Sequence, residues 1–305
     1  MKDCKDKSCR YCSSQGIGFE IESSKAILGK IIDRIEYQIM HRPEINSLSG
    51  KKLFDRVIGI SGQSSNLIVI CGRPSSKHLA VAENILFGEL EAGTLSAIVG
   101  SATGNQNVLR RYLAKISEVD ATLLAFGSLS DNEWLKIENA INQMATKSNV
   151  FAISCKTMTV DSLTVALEKL KLQQPNLGFA LVSADDFIHS FKSACYSDKH
   201  MCSGGALRHL ADKLRIPIVV TTGLCDKTGI PPDHQVTMKD LPSHLNLVDY
   251  ADVVVLCEYP DMYEEDPSKF NNLIKVFVSS NRGLTRMNIP INEALIPEVN
   301  QTFLV

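Results

Sequence analysis

The chain has no long hydrophobic run: its apolar stretches, such as Leu67 to Cys71 and Val253 to Cys257, are far shorter than the ~20 residues that cross a bilayer. No leader with an apolar centre opens it, so a cytoplasmic protein is expected. It also lacks charge of one sign. A net charge of -2 supplies no global field for nucleic acid, so DNA binding would need a local basic groove, and none is apparent. Internal repeats and low-complexity tracts are absent, which argues against a solenoid or a disordered chain. Nine cysteines, an odd number, lie scattered and partly inside apolar runs, which fits a reducing compartment better than a disulfide framework.

What is present is a 44% apolar content, ample for a core. Three regions stand out along the chain: a mobile Cys-containing tail over 1–23, a helix with its connector over 24–60, and an α/β domain over 61–305. Ile27, Leu28, Ile31, Ile32, Ile35 and Ile39 recur at helical spacing and end near His41-Arg42-Pro43, giving an amphipathic helix over about 24–41. Strands are expected at 67–71, 95–100, 149–154, 178–183 and 216–221. Helices are expected near 77–90, 105–117, 130–146, 159–172 and 204–214. This alternation, with strands rich in β-branched residues, predicts a mainly parallel sheet flanked by helices. The stretches 253–258, 273–279, 286–291 and 301–305 read as consecutive strands without long helices between them, hence an antiparallel C-terminal extension.

After the first buried strand comes CGRPSSKHLAVAENI, a strand, a turn and a helix. A phosphate loop of the G-x-x-x-x-G-K-[ST] type needs its second glycine so that backbone N–H groups can curl around phosphate. It needs the lysine for the β/γ charges and the hydroxyl for Mg²⁺. Here Gly72, Arg73, Pro74, Ser75, Ser76, Lys77 and His78 read as a degenerate version. One residue is missing, the second glycine is absent, and His78 falls where the hydroxyl belongs. His78 itself reads as an exposed capping-turn histidine, able to meet an anion only if protonated.

Further residues resemble the C-terminal motor domain of the bacterial replicative DnaB helicase family, over about 24–303. GRPSS resembles that family's phosphate loop and LFDR the turn before it, and LAKISEVDATLLAFGSLSDNEW resembles a family signature ending at Trp134. LRHLADKLRIPIVV, DYADVVVLCEYPDMY and IKVFVSSNRG are similar to three later blocks in the same order. The resemblance implies a RecA-like P-loop NTPase fold whose nucleotide site has been lost. The general-base Glu falls on Ala102, the Mg²⁺-holding Asp on Ser183, and the sensor Gln on Gly223. The arginine after the sensor falls on Asp226, and the lysine of the finger pair on Ser280, leaving Arg282.

Two functions follow from the resemblance as expectations. The first is an ATPase-deficient binding or regulatory subunit, with no catalytic residue and no cofactor, that assembles with itself or with a replicative helicase through the helix 24–41. The second is a divergent ATP-driven helicase using Lys77, Asp185 and Arg282 with ATP and Mg. The N-terminal helical domain of the family has no counterpart in the sequence. DNA contact is expected to be weak: the loops 190–203 and 225–240, which line the family's channel, set Lys192, Lys199, Lys227 and Lys239 against Asp226, Asp233 and Asp240. Cys4, Cys9 and Cys12 have a C-x₄-C-x₂-C spacing that could offer three thiolates to zinc with His41, but no second ligand pair follows and a reduced tail is the plainer reading. His200 and Cys202 read as part of an exposed connector.

Overall fold

The computed structural model describes residues 32, 67–73, 77–147, 149–154, 159–184, 203–224, 247–258, 273–280 and 283–290. The chain divides into two compact units, Met1–Ser47 and Leu48–Val305. In the first, Ile32 is helical and 53% exposed, within the helix expected at 24–41; the rest of that helix lies outside the described residues.

In the second unit, strands and helices alternate. β1 (Leu67–Gly72) leads to α1 (His78–Glu91), β2 (Leu95–Gly100), and then α2 (Ala102–Ser117), α3 (Ala121–Phe126) and α4 (Asp131–Lys147). β3 (Val150–Ser154), α5 (Val160–Gln173), β4 (Leu177–Ser183), α6 (Ser203–Leu214) and β5 (Ile218–Gly223) follow. The short α7 (Leu247–Tyr250) precedes β6 (Val253–Glu258), β7 (Leu273–Ser280) and β8 (Gly283–Pro290). The sheet order is β3-β2-β4-β5-β1-β6-β7-β8. Its first six strands run parallel, and β7 and β8 add an antiparallel edge.

This is the predicted plan, corrected chiefly in the direction of one strand. β6 is not part of the antiparallel extension, because it pairs with β1 in parallel, Ile68 facing Val253 through Gly72 facing Cys257. A parallel neighbour needs a long crossover, and the chain from β5 to β6 supplies one; strand direction is set by that connection and leaves no mark in the strand's own residues. The antiparallel turn-back begins at β7, and β8 starts at Gly283 rather than 286. The strand expected at 301–305 lies outside the described residues. α3 was not expected: Asp120 caps it, accepting from the Thr122 N–H at 2.6 Å, and Gly127 ends it in the left-handed conformation. Those hydrogen bonds from Thr122 hold the Asp120 carboxyl below its usual range.

β1 is buried along its whole length, as a strand covered on both faces must be. On one face Leu67, Val69 and Cys71 pack with α5, α6 and α7 through Leu163, Leu167, Leu210 and Leu247. On the other, Ile68 and Ile70 pack with α1 and α2 through Leu86, Phe87 and Tyr112. α1 and α2 are fastened to each other. Glu83, 4% exposed, takes both arms of the Arg111 guanidinium, with Nε at 2.6 Å. One turn further Phe87 meets Tyr112 with ring centroids 5.0 Å apart, and Lys115 lies over Phe87 and pairs with Glu91. Burial pushes the Glu83 carboxyl up, against the lowering effect of Arg111.

Candidate functional site

In a doubly wound sheet, ligands meet the carboxyl ends of the strands where successive connections leave for opposite faces. β1 continues into α1 on one face, whereas β4 leads to α6 on the other, so the crevice opens beside β1 on its β5 and β4 side. The degenerate loop predicted from the sequence is therefore at the position where this architecture places a ligand.

The strand ladder runs tightly up to that edge. The Leu224 N–H donates to the Gly72 carbonyl at 2.9 Å, and the Ala184 N–H to the Thr221 carbonyl at 2.8 Å. Beyond Gly72, Arg73 and Lys77 are half-buried; Pro74, Ser75 and Ser76 lie outside the described residues. Lys77 caps α1 with φ 57°, left-handed, and its side chain makes no capping hydrogen bond. His78 is the first helical residue and is 3% exposed, which corrects the expectation of an exposed capping histidine. The reason is that α1 lies flat on the sheet, with Val81, Ala82, Ile85 and Leu86 all buried, so its first turn is covered as well. Leu79, beside it, is 45% exposed.

Of the residues expected to have replaced catalytic groups, Ala102, Ser183 and Gly223 stand at or just past the carboxyl ends of the strands, whereas Ser280 pairs with Val253 at the amino end of β6. Ala102 is the exposed first residue of α2, which Ser101 caps by accepting from the Gly104 N–H at 3.1 Å. The capped turn draws the helix start back from 105 to 102; Gly104 hid it in the sequence. Ser183 ends β4 and Gly223 ends β5. The six parallel strands thus finish on Gly72, Gly100, Ser154, Ser183, Gly223 and Glu258. Glu258, buried, is the one carboxylate among them, and it lies on the opposite side of β1 from β4. Sequence reasoning passed over it; a charged residue closing an otherwise apolar strand was the available signal. Asn105, also buried, ties α2 to the end of β3, donating from Nδ2 to the Ile153 carbonyl at 3.1 Å and to Ser154 Oγ at 2.9 Å.

Asp185, Asp226, Arg282 and the loops 190–203 and 225–240 lie outside the described residues, as do Cys4, Cys9, Cys12, His41, His200 and Cys202. Among the described residues no group of three His, Cys, Asp or Glu side chains is placed to hold a metal ion. No helix among them is long and apolar enough to cross a membrane.

Residues 49–292 match the family described as the DnaB-like helicase C terminal domain. The chain belongs to that family. The match begins within two residues of the boundary between the two compact units, so this DnaB-like domain and the second unit nearly coincide. The chain is 22% identical over 225 residues to the replicative DNA helicase DnaB of Buchnera aphidicola subsp. Schizaphis graminum, covering 72% of this chain and 48% of that protein. It is 25% identical over 268 residues to a probable plasmid replicative DNA helicase of Chlamydia psittaci, covering 86% and 57%. It thus spans about half the length of the curated relatives it matches. Among solved structures, an isolated ATPase domain superposes with a TM-score of 0.72 at 17% identity, over 90% of this chain and 98% of that one. A DnaB-like replicative helicase, studied for its interactions with primase, superposes with a TM-score of 0.67 at 17% identity, over 90% and 66%. The fold of the DnaB-like domain is therefore the RecA-like one that the sequence resemblance implied.

Proposed function

We propose that the chain is an ATPase-deficient member of the DnaB-like helicase family that works by association, as a binding or regulatory subunit in DNA replication. One observation supports this reading most: the residue that opens α2 at the crevice is Ala102, an exposed methyl, and the sequence resemblance assigns the family's general base to that position. Ser183 and Gly223 at the neighbouring strand ends supply neither a metal-binding carboxylate nor a sensor amide. Losing a positioned base or a transition-state donor typically costs about 10²–10⁴ in rate, and several lost together leave no useful turnover even though the losses are not additive. No cofactor is assigned to this chain on this reading, ATP and Mg belonging to the second one, and the proposed place of work is the cytoplasm.

Association is the remaining use of such a scaffold. The amphipathic helix 24–41 is the element assigned to it, joining copies of this chain or this chain and an active replicative helicase. On the DnaB-like domain Phe126, Trp134 and Leu135 are each more than half exposed, large apolar surface of the kind that interfaces bury. Contact with single-stranded DNA is weak, because the charges of the loops 190–203 and 225–240 nearly cancel. The test is steady-state NTP hydrolysis by the full chain with single-stranded DNA present. No release above background is expected; release that disappears in Lys77→Ala would favour the second reading, a divergent helicase using Lys77, Asp185 and Arg282. Co-purification with a replicative helicase, lost on deleting 24–41, is the positive result the association requires.

A further inference from the structure

Read by side-chain identity, the phosphate loop has lost a residue, because Lys77 is matched to the pattern's lysine. The backbone gives a different match. Residues 73–77 separate the end of β1 from the start of α1. In G-x-x-x-x-G-K-[ST] four residues and a glycine separate the first glycine from the lysine, so the spacing is that of an intact loop. The residue immediately before the helix, Lys77, has φ 57°. That left-handed state is the one glycine adopts without penalty and other residues adopt at a cost, and it is the state that alternates with right-handed residues in an anion-cradling nest. A glycine written into the pattern directly before its helix-opening lysine is explained by the same requirement.

We infer that the loop is full-length and was altered in place: Lys77 occupies the backbone position of the pattern's second glycine, His78 that of its lysine, and Leu79 that of its hydroxyl residue. This rests on the proposal that the crevice beside β1 is the vestige of a nucleotide site, and says what was lost there. Three features fit it. Lys77 bears the left-handed φ although it is no glycine, and its side chain takes no part in capping. His78 opens the helix but is buried, so no long flexible ammonium reaches out from the first helical position. Leu79 presents an apolar, 45% exposed side chain in the first turn where Mg²⁺ would need an oxygen. The ammonium of Lys77 survives, yet it leaves the chain one residue too early to play the lysine's part.

The two matches call for different repairs, which makes them separable. Substitution in place predicts that Lys77→Gly, His78→Lys and Leu79→Thr together rebuild the loop. A one-residue loss predicts instead that inserting a glycine between Ser76 and Lys77, with His78→Thr, does so. Binding of Mg-ATP and Mg-ADP to the full chain is measured by calorimetry, with the melting midpoint of each protein recorded without nucleotide. The triple substitution is expected to bind at least about tenfold more tightly than the unaltered chain, a gain of about 1.4 kcal/mol, and the insertion to give no gain. A gain from the insertion alone, from both alike, or from neither would overturn the inference. Single variants keep it testable if the triple variant folds poorly. Lys77→Gly is expected to hold or raise the melting midpoint and Lys77→Val, β-branched, to lower it by roughly 2–4 °C; equal losses in both would be contrary. Turnover by the unaltered chain would refute ATPase deficiency without bearing on the repair experiment, and failure of the repair would leave the deficiency standing.

Discussion

The two ends of the parallel sheet are built on opposite principles. At the amino ends, polar side chains tie the strands to neighbouring elements. Asp252 Oδ2 accepts from the Leu67 N–H at 2.8 Å and from Arg208 Nε at 3.1 Å, while the Asp252 N–H returns to the Leu67 carbonyl. Lys171 Nζ donates to the Leu177 carbonyl at 2.7 Å, and Asn149 Nδ2 to the Leu90 carbonyl at 2.9 Å. At the carboxyl ends the strands stop on small residues and, at β6, Glu258. The polar side chains of one end hold the fold together, whereas the strands of the other close mainly on glycine and serine.

That contrast can be broken in several ways. The largest effect is expected inside the sheet: burial pushes the Cys71 thiol well above its ordinary value and that of Cys257 up to about 12. Thiolate is the reactive form, so alkylation of these two at pH 8, followed by mass spectrometry of the peptides, should be slowed at least about 10³-fold until the domain unfolds globally. Next comes the amino end. Asp252→Ala removes a buried N–H partner and an arginine partner together, and should cost roughly 2–3 kcal/mol in urea titration.

The buried Glu83 has a smaller effect with a definite sign. Its folded pKa lies above the unfolded value, so the native state binds the proton more tightly. Its contribution to stability is therefore greatest below the unfolded pKa, near 4.5, and is lost as pH rises through the raised folded value. The stability difference between the unaltered protein and Glu83→Gln, followed by urea titration across pH, should vary in that sense; a difference independent of pH would contradict it. The smallest effect belongs to the carboxyl end, where Ala102→Glu, at an exposed first-turn position that favours acidic groups, should change stability by less than about 0.5 kcal/mol. A large loss there would mean that this end too is structurally committed.

How far the sequence could be read follows the same division. The β/α ladder was legible because β1, β2, β4 and β5 are short, mostly buried apolar runs, and the longer helices between them are set off by polar turns. Direction was not legible for β6, since its residues are as apolar as those of any buried strand and only the connection before it reverses the path. α3 escaped notice because six residues carry no period; its Asp120 cap and Gly127 stop were the usable signals. At the candidate site Ser183 was anticipated as a strand end, whereas Gly72 and Gly223 close strands expected to stop at 71 and 221, and Ala102 opens a helix expected to start at 105. What side-chain identity obscured was the loop's backbone register: a lysine attracts a match to a lysine, while the φ of Lys77 belongs to a glycine's place.

The fastening of α1 to α2 has a further consequence. Glu83, Phe87 and Glu91 stand one helical turn apart, and Arg111 and Lys115 answer them at the same interval, so the two helices form a single stiff slab. One starts at His78 and the other at Ala102, on either side of the crevice mouth. A partner that tilts either helix on docking will carry the other with it, so the slab is a lever by which surface binding can reshape this edge even in the absence of fuel.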